Sequence, residues 1–95
     1  MTQRRTMQET RTTLTPAEVL AAAKEFFARR NTIYAAFPEQ ESAAHVSLRG
    51  QGGEELIVGV LTRDGATLVT ASSYIFDAQI SRFFATLPPV VGVPA

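Results

Sequence analysis

The pair Asp64-Gly65 constrains this chain more than any other feature. It separates two apolar, β-branched runs, ELIVGVLT (55–62) and ATLVTASSY (66–74). Asp-Gly suits the positive-φ geometry of a two-residue hairpin turn, so the runs are expected to form an antiparallel hairpin of fixed register. Thr62 then faces Thr67, Val60 faces Val69 and Val58 faces Ala71. Because strand side chains alternate, Leu56, Val58, Val60, Val69 and Ala71 share one face.

A third strand precedes this hairpin. AAHVSLR (43–49) alternates Ala44, Val46 and Leu48 against His45, Ser47 and Arg49. Pairing Leu48 with Leu56 and Val46 with Val58 keeps a single apolar face; a slip of one residue would turn both valine and leucine away. The same register sets Arg49 opposite Glu55, a favourable cross-strand pair. Gly50, Gly52 and Gly53 are expected to supply a positive-φ, bulged turn between the strands. TIYAAF (32–37) is a possible further strand, and PEQESA (38–43) a polar connector.

On either side of the strands the apolar period becomes helical. In TPAEVLAAAKEFFARRN, Thr15 is placed to cap a helix, Pro16 to occupy its first turn and Glu18 to close a capping box. Val19, Leu20, Ala23, Phe26 and Phe27 form its apolar stripe. Arg29 and Arg30 complement the dipole in the last turn, and Asn31 suits the stop. In YIFDAQISRFFATLPP, residues Phe76, Ile80, Phe83, Phe84 and Leu87 make one face, and Pro88-Pro89 ends the helix.

The expected fold is therefore α+β: a three- to four-stranded antiparallel sheet with two amphipathic helices on one face, in the order α-β-β-β-α. Residues 1–14 read as a polar N-terminal arm, solvated or pairing as a polar edge strand. Residues 15–87 read as a single domain and 88–95 as an apolar tail.

The second sheet face is the unusual one. Ile57, Gly59, Leu61, Leu68 and Tyr74 lie on it, mixed with Ser47, Thr70 and Ser72. A face this apolar calls for a cover: a second subunit, a larger complex, the VVGVPA tail or an apolar ligand.

Catalytic chemistry finds no foothold. His45 is the only histidine of the 95 residues, and no carboxylate or ligand set stands at a spacing that would orient it. Asp64 is explained as a turn former and Asp77 by the first turn of a helix, while Glu39, Glu41, Glu54 and Glu55 lie in connectors and turns. No GxSxG or SxxK motif activates a hydroxyl. The stretch RGQGGEE has Glu55 where a dinucleotide fingerprint needs its third glycine, and it leads into a strand; a Walker loop's Lys-Ser/Thr is also missing. Without cysteine there is neither a disulfide nor a thiolate metal site. No cofactor or metal is expected.

Nine Lys and Arg balance nine Asp and Glu, which disfavours a nucleic-acid binder. No run is long enough to span a membrane, and the polar N-terminus lacks the apolar core of a secretory signal. The chain reads as cytoplasmic.

The stretches TPAEVLAAA and DGATLVTASS…ISRFFATLP resemble the first helix, last hairpin and terminal helix of the helix-grip domains of the START/polyketide-cyclase-like group. Together they cover about half the chain. That resemblance implies a sheet wrapped on a closing helix and a role in binding lipids or small molecules. The same element order also suits small α+β modules that act as assembly subunits. Two functions are thus expected. The first is a non-enzymatic protein-interaction module, homodimeric or an accessory subunit, working through Ile57, Gly59, Leu61, Leu68 and Tyr74. The other is a small carrier that grips an apolar ligand around Phe76, Ile80, Phe83 and Phe84.

Overall fold

A computed structural model describes residues 6–30, 35–73 and 76–90. It is α+β, with strands β1 (Thr6–Thr12), β2 (Ala36–Glu41), β3 (His45–Gly50), β4 (Glu55–Arg63) and β5 (Ala66–Ser73) and helices α1 (Pro16–Glu25) and α2 (Asp77–Thr86). The strands form one antiparallel sheet in the order β1-β5-β4-β3-β2.

The central registers are those expected. Thr62 pairs with Thr67, Val60 with Val69 and Val58 with Ala71. Leu48 pairs with Leu56 and Val46 with Val58. Asp64 and Gly65 both have positive φ, the condition for a tight turn that matches strand twist. Val46, Leu48, Leu56, Val58, Val60, Val69 and Ala71 are all buried beneath the helices.

The expected sheet was too small by one strand or more. Residues 6–12, read above as a polar arm either solvated or pairing as an edge strand, take the second form as edge strand β1 along β5, so the order becomes β-α-β-β-β-β-α. The additional strand near 32–37 lies later, at 36–41, and takes in most of the connector 38–43. Its polar residues are compatible with a strand because it is an edge, where one side and one face meet water. Of the run TIYAAF, Thr32, Ile33 and Tyr34 fall outside the described residues.

Helix α1 begins as expected. The Thr15 side chain accepts from the Glu18 amide and the Glu18 carboxylate from the Thr15 amide, a complete capping box. Its end differs: Phe26–Arg30 widen into a π-helical turn. This brings Phe26 and Phe27 to 5.5 and 5.4 Å from Phe83 of α2, ring centre to ring centre. Helix α2 starts at Asp77, and the Phe76 amide donates to Ser73 Oγ in the turn before it. Pro88, just beyond α2, is tied to the start of the domain: its carbonyl accepts from Thr12 Oγ1 and the Thr13 amide. Thr67 Oγ1 donates to the Leu14 carbonyl and fixes the same corner.

Candidate functional site

Directly opposed residues of antiparallel strands project to the same side, so the registers assign each paired strand residue to a face. On the face away from the helices lie Met7, Glu9 and Arg11 of β1 and Leu68, Thr70 and Ser72 of β5. Beside them are Ile57, Gly59 and Leu61 of β4, His45, Ser47 and Arg49 of β3, and Phe37 and Gln40 of β2. One row runs Met7, Ser72, Ile57, Ser47, Gln40 across all five strands. The next runs Glu9, Thr70, Gly59, His45.

Among the described residues the three large apolar side chains most open to solvent are Met7 (72%), Leu61 (53%) and Phe37 (51%). All three leave the sheet on this outer side. Met7 and Phe37 stand on opposite edge strands, four inter-strand steps or about 19 Å apart. Leu61 stands toward the Asp64-Gly65 turn. Between them the side chains are small or half-buried: Ile57, Leu68 and Gly59 are half-buried, and Ser47 and Ser72 are buried. At Gly59 a Cβ would come within 2.9 Å of Thr70 Oγ1, so the glycine keeps the middle of the face low. The expected residues Ile57, Gly59, Leu61 and Leu68 are thus brought together, while Tyr74 lies outside the described residues. Met7 and Phe37 were missed because β1 and the bounds of β2 were. Once β1 is placed, the alternation of Met7, Glu9 and Arg11 against Gln8 and Thr10 is the signal that would have found Met7.

The charges at the margin of this face are organised differently from expectation. Arg49 does stand opposite Glu55. Its guanidinium, however, makes a two-pronged contact with Glu39, Nε to Oε2 at 2.8 Å and Nη2 to Oε1 at 2.9 Å, and Nη1 donates to the Gly53 carbonyl. The irregularity in β2 between Pro38 and Gln40 lets Glu39 reach across. Hydrogen bonds from Arg49 hold the Glu39 carboxyl below its usual range, and the same contact raises Arg49.

The glycine turn also needs correcting. Only Gly53 of the three has positive φ, at 90°. With the Gly53 amide bonded to the Gly50 carbonyl and the Gly50 amide to the Glu54 carbonyl, the loop is Gln51-Gly52-Gly53 with its left-handed residue last. Gly50 is small for another reason: a Cβ there would meet Phe76 Cζ at 3.0 Å.

His45 has one side-chain partner among the described residues. Ser42 Oγ lies 2.6 Å from its Nδ1, and that oxygen also accepts from the Ala44 amide. The contact belongs to the turn between β2 and β3, which the bond from the Ser42 amide to the His45 carbonyl closes. Among the described residues no carboxylate bonds to the other ring nitrogen, so the pair lacks the third, orienting member of a catalytic triad. Among the described residues no group of three or more His, Asp or Glu could hold a metal ion. No described helix is long and apolar enough to cross a membrane.

The carrier candidates sit on the inner side of α2. Phe76, Ile80 and Phe83 are fully buried and Phe84 is half-buried against the same core. Phe76, Ile80 and Phe83 belong to the same core cluster as the inner-face residues of the sheet.

No family model matches this chain, and neither a curated protein nor a solved structure does.

Proposed function

We propose that the protein is a non-enzymatic interaction module whose outer sheet face is covered by another protein, as a homodimer or as an accessory subunit of a larger assembly. One observation carries this: Met7, Phe37 and Leu61, the most exposed large apolar side chains described, all leave the sheet on the side without helices. Apolar anchors spaced around a low centre, with ions at the margin, suit burial against a complementary protein surface. The carrier reading requires Phe76, Ile80 and Phe83 to part from a core in which they are already packed, and so stands second.

Hydroxyl-radical labelling, compared between native extract and purified single chains, tests the reading. Phe37 and Leu61 are expected to be spared in extract and labelled once isolated, and Ile57→Asp or Leu68→Asp should remove the sparing. Full labelling of Phe37 and Leu61 in both preparations overturns it. An apolar molecule retained in native mass spectra, with both residues fully labelled, would favour the carrier instead.

A further inference from the structure

The two edges of the sheet are unequally guarded. Edge strand β2 carries Pro38 and a register irregularity beside it, both of which hinder pairing with another chain. Edge strand β1 has neither: Thr6–Thr12 runs in unbroken register along β5. The backbone groups that face outward from β1 follow from the tight turn. Arg63 and Ala66 flank it and bond to each other, so alternation points the main-chain groups of the odd residues of β5 toward β1. These odd residues oppose the even residues of β1, leaving Met7, Glu9 and Arg11 with N–H and C=O toward the open side. The Thr13 amide, next in that series, is closed off by the Pro88 carbonyl.

No described strand pairs with this edge beyond β5, and its side chains are self-complementary. Glu9 and Arg11 flank Thr10 on the same face, and both are exposed. If two copies of the strand run antiparallel about Thr10, Glu9 of each lies opposite Arg11 of the other. An axis at Glu9 would set glutamate against glutamate, and one at Arg11 would set arginine against arginine.

We propose that β1 pairs with β1 of a second copy of this chain, antiparallel about Thr10, joining the two five-stranded sheets into one. Main-chain bonds then form between Glu9 and Arg11 of opposite copies, and the Glu9–Arg11 ion pair forms on both sides of the two-fold axis. The outer faces become continuous and the helices of both copies lie on the other side. On that side Ser81 of α2 reaches β1 by donating to Gln8, and the exposed Ala78 and Ala85 beside it leave room for the second α2. This interface is the main-chain edge of β1 rather than the apolar centre of the outer face, and it goes beyond the function proposed above.

Light scattering across a concentration series tests it. The wild type is expected at twice the single-chain 10.3 kDa. Glu9→Arg leaves only arginines facing each other across the axis, and Arg11→Glu leaves only glutamates. Each variant is expected to weaken the dimer about tenfold or more and to run as a folded monomer by circular dichroism. Mixing the two monomeric variants restores complementary pairs and should return the dimer mass, as should the double variant carrying both changes. A wild type that stays at one chain mass overturns the proposal, as does a dimer indifferent to both single charge reversals. A dimer lost on Leu61→Asp but kept by the charge variants places the second copy on the outer face and also overturns it.

Discussion

At the scale of single residues, the Arg49 guanidinium grips the Glu39 carboxylate through two hydrogen bonds of 2.8 and 2.9 Å. Arg49 and Glu55 are opposed as their register requires, yet the guanidinium pairs with Glu39, ten residues away in sequence and on the other neighbouring strand. Two parallel hydrogen bonds to one carboxylate favour that geometry over a single contact. The choice depends on the irregularity in β2, which the residues 38–43 do not advertise. A pH dependence follows. Because Arg49 lowers the Glu39 pKa in the folded chain, the unfolded chain binds that proton more readily. The contribution is complete above the ordinary carboxylate range and is lost as pH falls through the lowered folded value. Since the pair is exposed, its effect is small and screened by salt. Denaturation midpoints of wild type and Glu39→Gln are expected to differ near neutrality and to converge in acid. A gap that stays constant with pH would contradict the ion-pair account.

At the scale of elements, local signals were read well and edges poorly. The capping box of α1 and the Asp64-Gly65 turn each involve residues within a few positions of one another, so the sequence states them almost completely. Strand β1 pairs Thr6 with Ser73 and Thr12 with Thr67, across most of the chain. Its polar, threonine-rich composition carries no apolar alternation strong enough to mark a strand. β2 is polar for the same reason, since an edge strand half in water needs little apolar surface. The guarding of β2 can be tested directly. Phe37 and Gln40 oppose Arg49 and Ser47, whose main-chain groups point toward β2, so Pro38 lies with its missing N–H on the open side. Pro38→Val supplies that N–H without breaking an internal bond. The expected result is a denaturation midpoint close to wild type with faster aggregation on storage, followed by turbidity. An unchanged aggregation rate would show that other features protect this edge.

At the scale of the whole molecule, one sheet has two contrasting faces. The inner face meets both helices and the Phe26, Phe27 and Phe83 cluster. The outer face has no covering helix among the described elements. Two residues of β4, one on each face, therefore respond unequally to the same substitution. Val58→Asp places a carboxylate in the core and is expected to cost about 3 kcal/mol or more, a large fraction of the stability of an ordinary domain. Leu61→Asp is expected to shift stability by no more than about 0.5 kcal/mol, as surface changes do. Urea denaturation of the two variants checks the contrast; comparable losses would mean that the outer face contributes to the monomer fold.

The sequence by itself determined the two amphipathic helices, the three central strands, their register and the division of their side chains between faces. These follow from capping, turn chemistry and alternation, all set by near neighbours. Tertiary structure alone decided that the polar N-terminal segment joins the sheet, that Glu39 takes Arg49, and that Met7 and Phe37 stand with Leu61 on one face. Each of these is a meeting of distant segments or neighbouring strands at an edge, where weak local preference leaves the outcome to long-range pairing.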